Sequence, residues 1–221
     1  MSRDTPRTRL EPADRRRELL AVAERLAAAD GIGSLSTQAV ATAAGASKAL
    51  VFHYFGSVVG LQRAVVSAAV DDLLAALAAT EGPVSPERPV VVLDAFITTV
   101  TARRELWTDI WRGALHDDPQ TQEILADARS LLVERLARRS TALHASSSTS
   151  PAPALGAAAG AGDQRLSPDA LALLSRGWVA LAENATAAWL AGSPLTQDEL
   201  RNLLVRSLSA VLGDLTAPLP R

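Results

Sequence analysis

The chain is 221 residues long, 48% hydrophobic and 21% charged, enough apolar material for a substantial core and too much for wholesale disorder. It contains no cysteine, which excludes disulfides, thiolate chemistry and cysteine-ligated zinc, and no apolar run nears the roughly 18–20 residues of a membrane span. The net charge of −2 is uneven: residues 1–60 carry 8 Lys/Arg against 6 Asp/Glu and residues 61–221 carry 14 against 18, a weakly basic head on an acidic body.

The charged start, Met1 to Pro12, lacks the hydrophobic segment of a signal peptide, so a cytoplasmic protein is expected. Helical periodicity begins after Pro12 with Leu19, Val22, Ala23, Leu26 and Ala27 on one stripe, and Gly31 and Gly33 stop it. Ser36 is the expected N-cap of a short second helix from Thr37 to about Ala44, and Gly45 turns the chain. Ser47 then caps a third short helix through His53, Gly56 breaks it, and Ser57 caps a longer fourth helix carrying Val58, Leu61, Val65, Ala69 and Leu73.

Gly82 and the three prolines from Pro83 to Pro89 mark a connection, followed by helical patterns over 90–101 and 105–115. Asp118 caps the next helix with Pro119 at its first position, and the pattern runs to Leu136. Residues 144–166, rich in Ala, Ser, Gly and Pro, read as a flexible loop. Ser167 and Pro168 open another helix, and Thr196 with Glu199 forms a capping box for the last, which carries apolar residues to Leu215. The fold class is therefore all-α, an N-terminal three-helix domain followed by a C-terminal helical bundle.

Two short helices joined at a glycine turn, from Thr37 to Phe55, fit a helix-turn-helix whose second helix enters the DNA major groove. From Arg15 to Leu61 the sequence resembles the N-terminal domain of the TetR family, through its apolar first helix, Val40-Ala41, Ala44-Gly45, Ser47-Lys48 and the aromatic cluster Phe52-His53-Tyr54-Phe55. The resemblance implies a DNA-binding regulator with residues 1–57 as the DNA-binding domain and 58–221 as the effector-binding and dimerisation domain. The chain departs from the family pattern at Phe52, commonly tyrosine, at Tyr54, commonly histidine, and at Val58, commonly lysine. Arg7, Arg9 and Arg15 to Arg17 form a candidate basic arm.

The candidate DNA contacts are Thr37 and Gln38 in the first turn of the second helix, where hydroxyl, amide and free backbone N–H groups suit a phosphate. Ser47, Lys48, Ala49, Leu50, Phe52, His53 and Tyr54 on the third helix complete the set; Lys48, the sole lysine, suits a phosphate or guanine edge, and Ala49 and Leu50 suit thymine methyls. Trp107, Trp111, Trp178 and Asn184 are candidates for an effector pocket. Leu171, Leu174, Trp178, Leu181, Leu204, Leu208 and Val211 are candidates for a homodimer interface between the last two helices of each copy. The function expected from the resemblance is repression: a homodimer binds a palindromic double-stranded operator and a small-molecule effector releases it. No cofactor, metal, membrane partner or enzymatic activity is expected. Two other readings stay open: an all-helical enzyme using His116 with Asp117 or Asp118 as an acid–base site, and a dimerisation scaffold whose head no longer binds DNA.

Overall fold

The computed structural model describes residues 11–83, 85, 87–147 and 167–213, the side chains of 142–147 and 212–213 excepted. All regular structure among them is helical: α1 (Pro12–Asp30), α2 (Thr37–Ala43), α3 (Lys48–Phe55), α4 (Val58–Ala79), α5 (Arg88–Ala102), α6 (Arg104–Trp111), α7 (Pro119–Ser147), α8 (Pro168–Leu190) and α9 (Gln197–Leu208). A 3-10 turn, Ile32–Ser34, links α1 to α2, and a π-helical turn, Ser209–Gly213, follows α9. The chain divides into two compact units: one takes in the residues up to Ala69 with Arg103–Thr121, the other Val70–Ala102 with the residues from Gln122 onward. The first unit is thus not a simple N-terminal block, because the chain returns to it as α6 and the corner into α7.

The first unit is organised around α1. Its stripe of Leu19, Val22, Ala23 and Ala27 is buried, with Val40 of α2, Val51 and Phe55 of α3, Leu61 and Val65 of α4, and Leu106 and Ile110 of α6 also removed from solvent. Both α2 and α6 pack on α1, and α2 packs on α3. The short helices α2 and α3, and the longer α4, each start where a serine side chain accepts a backbone N–H: Ser36 from Ala39 at 3.0 Å, Ser47 from Leu50 at 3.1 Å and Ser57 from Gly60 at 2.9 Å. These caps satisfy donors that a helix of seven or eight residues cannot afford to leave open.

In the second unit α9 packs on both α5 and α8, with Leu200 and Leu204 fully buried between Leu93, Phe96, Ile97 and Val100 of α5 and Leu171, Trp178, Val179 and Ala182 of α8 in the same core. The α9 capping box is formed in both directions, Thr196 Oγ1 accepting from Glu199 N at 3.2 Å and Glu199 Oε2 from Thr196 N at 2.8 Å; the Thr196 N–H and then its hydroxyl, both donating to Oε2, hold the Glu199 carboxyl below its ordinary range. Ion pairs tie α8 to α7 through Arg129–Glu183 at 2.9 Å, and α9 to α5 through Arg201–Asp94 at 3.0 Å.

Two boundaries differ from those expected. The helix expected over 105–115 ends at Trp111, because Gly113 at φ 92° and Leu115 at φ 61° leave the right-handed region. The flexible loop expected from residue 144 does not begin there: α7 continues through Ser147, and the rest of that stretch, 148–166, lies outside the described residues. The basic arm at Arg7 and Arg9 lies outside them too. Among the described residues no single helix is long and apolar enough to cross a membrane.

Candidate nucleic-acid interface

The α2–turn–α3 segment is a helix-turn-helix. Gly45, at φ 57°, makes the turn, and Ala46 N returns to Ala41 O at 2.8 Å. Val40, Ala41, Val51 and Phe55 face inward, so the rotation of α3 is fixed and the side chains it presents outward follow. Lys48, Ala49, Phe52 and His53 are exposed, and Leu50 and Tyr54 are half-buried. The His53 and Tyr54 rings meet edge-on at 5.2 Å, and the Arg16 guanidinium of α1 lies 5.2 Å from the Phe55 ring centre.

Of the expected DNA contacts on α2, Gln38 is exposed but Thr37 is buried, so the Thr37 hydroxyl is not presented outward as expected. The reason is helix phase: with Ser36 as cap, position 37 starts the stripe that continues to Val40 and Ala41. Gln38 Nε2 donates to Thr42 Oγ1 at 3.3 Å, and Thr42 is exposed one turn further along the same face. Thr42 extends the polar surface of α2 and was not expected; its only signal in the sequence is the four-residue spacing from Gln38. The α3–α4 corner is tight, since a Cβ on Gly60 would collide with the Phe55 carbonyl. Val58 and Val59 stand exposed at the start of α4, next in the chain to α3.

What holds this head in place was not legible beforehand. The backbone of Ile32, just before α2, is gripped on both sides: its N–H donates to Asp109 Oδ2 of α6 at 2.9 Å and its carbonyl accepts from Gln62 Nε2 of α4 at 3.0 Å. Arg103 pairs with Glu24 of α1 at 3.4 Å. Arg63 of α4 makes a bidentate pair with Asp118, Nε to Oδ2 at 2.7 Å and Nη2 to Oδ1 at 2.6 Å, while Asp118 caps α7 by accepting from Thr121 N and Oγ1. Arg63 first, and Thr121 next, hold the Asp118 carboxyl far below the ordinary carboxylate range, against the opposing cost of desolvation.

A folded-state pKa below the unfolded value means that this pair stabilises the protein fully above about pH 4 and progressively less as pH falls below that, toward the depressed native value. Asp118→Asn is therefore expected to lower the thermal midpoint at pH 7, with the gap from the parent narrowing by pH 3. A gap that does not change with pH would show that the charge at Asp118 is not what matters.

The remaining candidates fall into different units. Trp107 is buried in the first unit with Trp111 at 5.3 Å between ring centres, and its indole Nε1 has no hydrogen-bond partner. In the second unit the Trp178 indole donates to Ser207 Oγ at 3.0 Å. Asn184 is exposed and its amide donates to Ala180 O at 2.7 Å, so it does not line an interior cavity as expected. Of the expected interface residues, Leu171, Trp178 and Leu204 are buried within the single chain and belong to its core, Leu174, Leu208 and Val211 are half-buried, and Leu181 is exposed. His116 and Asp117 are exposed, and Asp118 is committed to Arg63, so the three do not form an acid–base cluster.

The sequence matches the model of bacterial regulatory proteins of the tetR family over residues 19–65 and that of the tetracyclin repressor-like C-terminal domain over residues 86–211. Among solved structures, a tetR-family transcriptional regulator from Streptomyces coelicolor superposes with a TM-score of 0.74 at 23% identity, over 93% of this chain and 83% of that one. A TetR-family regulator from Rhodococcus sp. gives 0.66 at 21% identity, over 90% and 99%. FadR of Thermus thermophilus, a TetR-family repressor solved in complex with lauroyl-CoA, gives 0.61 at 16% identity, over 93% and 99%. No match was found among curated proteins. With both halves of the sequence matched and a helix-turn-helix seated on α1, the chain belongs to the TetR family of transcriptional regulators.

Proposed function

We propose that the protein is a cytoplasmic, ligand-responsive repressor that binds a palindromic operator as a homodimer. The observation that carries the reading is the outward face of α3, where Lys48, Ala49, Phe52 and His53 are exposed on a helix whose rotation is locked by Val51 and Phe55. In a dimer, two such helices about 34 Å apart meet successive major grooves on one side of the duplex. Support for the second copy comes from Leu173, Leu181 and Leu203, which leave 69%, 43% and 50% of their surface exposed on α8 and α9. Leu173, Gly177 and Leu181 recur every four residues and so share one face of α8, opposite in role to the buried line of Leu171, Ser175, Trp178, Ala182 and Thr186.

The effector site we place on that buried line of α8. Ser175 and Thr186 are fully buried with hydroxyls that have no hydrogen-bond partner, and Trp178 lies on the same helix face. Such a combination suits a ligand with an apolar body and a few polar atoms; the Thermus relative was solved with lauroyl-CoA, whose acyl chain is an apolar body of this kind. The effector acts by binding more tightly to a conformation in which the heads no longer match the operator spacing. No catalytic role is part of this reading.

The test is binding of the purified protein to the duplex upstream of its own gene at two salt concentrations, against a scrambled duplex. Selective, salt-sensitive binding is expected. Lys48→Ala is expected to weaken it on the order of ten-fold and to reduce the log–log salt slope by about one per head. An unchanged affinity and slope would remove Lys48 from the interface; loss of selectivity in the parent protein against a genome-wide pool of fragments would overturn the repressor reading.

A further inference from the structure

The exposed face of α3 is poor in hydrogen-bonding groups. Counted at about 100° per residue, Phe52 lies between Lys48 and Ala49 on the helix surface, with His53 at one margin. Phe52 leaves 57% of its surface in solvent. The neighbouring exposed residues at the start of α4, Val58 and Val59, are apolar as well. No acidic residue lies between Asp30 and Asp71, so nothing on this face repels a duplex, and Lys48 is its sole fully charged cation.

A recognition helix of this composition reads bases differently from one bearing Arg, Asn or Gln. Apart from the small C5–H of cytosine, the groups that a base pair offers in the major groove are hydrogen-bond donors or acceptors, and the 5-methyl group of thymine is the one sizeable apolar group. A phenyl ring pressed on a donor or acceptor desolvates a polar atom and returns no hydrogen bond, a cost that contact with a methyl does not incur. The ring itself loses exposed apolar surface only when something apolar covers it.

We propose that Phe52 is a specificity-determining residue that reads a thymine 5-methyl group by apolar contact, with Ala49 beside it and Lys48 fixing the register. The proposal rests on the DNA-binding function proposed above and deepens it: the preferred half-site contains at least one thymine whose methyl group, and not its hydrogen-bonding edge, is recognised. Discrimination against the same site lacking that methyl is then about four-fold per contacted group, the value of one buried methyl-sized increment.

The experiment starts from duplexes selected by the full-length protein out of a random pool. The tightest is resynthesised with each thymine of one half-site replaced singly by deoxyuridine, which removes the methyl and leaves base pairing intact. Binding at constant salt is then compared for the parent, Phe52→Ala and Phe52→Leu, whose thermal midpoints should match because position 52 is exposed. The expected result is one or two thymines at which deoxyuridine weakens the parent about four-fold, loses its effect in Phe52→Ala and keeps part of it in Phe52→Leu. Deoxyuridine without effect, or with the same effect in Phe52→Ala, overturns the role of Phe52 while leaving the DNA-binding function standing. A pool that yields no selective duplex overturns that function and the inference together.

Discussion

Gly31→Ala is expected to destabilise the protein by about 3 kcal/mol, seen as a drop on the order of 10 °C in the thermal midpoint. Gly31 ends α1 at φ 80° and ψ 164°, a region that residues with a Cβ enter only at roughly 1–3 kcal/mol. The new methyl also collides with the carboxylate of Asp109. That carboxylate can move only by releasing the N–H of Ile32, a donor in a residue almost wholly removed from solvent, which adds about 1–3 kcal/mol. The companion variant Gly33→Ala is the control: its Cβ meets open space and its φ is not in the left-handed region, so a change within about 0.5 kcal/mol is expected. Equal tolerance at both positions would show that the α1–α2 turn is not held as described. Adding Asp109→Ala to Gly31→Ala removes the collision, so the double variant is expected to lose less than the sum of the two singles.

Asp109 and Gly31 also mark where the sequence stops being informative. Ser36, Ser47, Ser167 and the Thr196–Glu199 box were legible because a cap acts on an amide three residues away, within one window of sequence. The helix-turn-helix was legible for the same reason, and for the resemblance its residues carry. The pairs that seat the head are separated by 55 residues in Arg63–Asp118, 77 in Ile32–Asp109 and 79 in Arg103–Glu24, and no local pattern selects one arginine or aspartate over another. Phase on α8 failed for a different reason. Leucine and alanine occur on all sides of this helix, so a stripe through Leu171, Leu174, Trp178 and Leu181 is as regular as the true inward line, which contains two polar residues, Ser175 and Thr186. Hydropathy places polar residues outside; here Ser175 and Thr186 lie on the buried side of α8 with Trp178 and Ala182.

The existence of two lines on α8 makes the proposed dimer interface separable from the core. Leu181→Glu is expected to leave each chain folded, since 43% of that side chain already faces solvent, and to convert the proposed homodimer to a monomer in sedimentation experiments. Leu171→Glu, with 6% exposed, is expected instead to unfold the chain, because an ionised carboxylate would enter the core without a partner. The consequence for DNA is large. With two heads linked, the second binds at the effective concentration set by the first, a gain of about 10²- to 10⁴-fold over one head. Leu181→Glu is therefore expected to lose selective binding by about that factor while Lys48 and the outward face of α3 remain intact, so that weak, salt-sensitive binding persists. Leu203→Glu on α9 is expected to behave in the same way. A Leu181→Glu protein that remains dimeric with full affinity would move the interface away from this face of α8; a monomer with full affinity would show that one head suffices and that the operator need not be a palindrome.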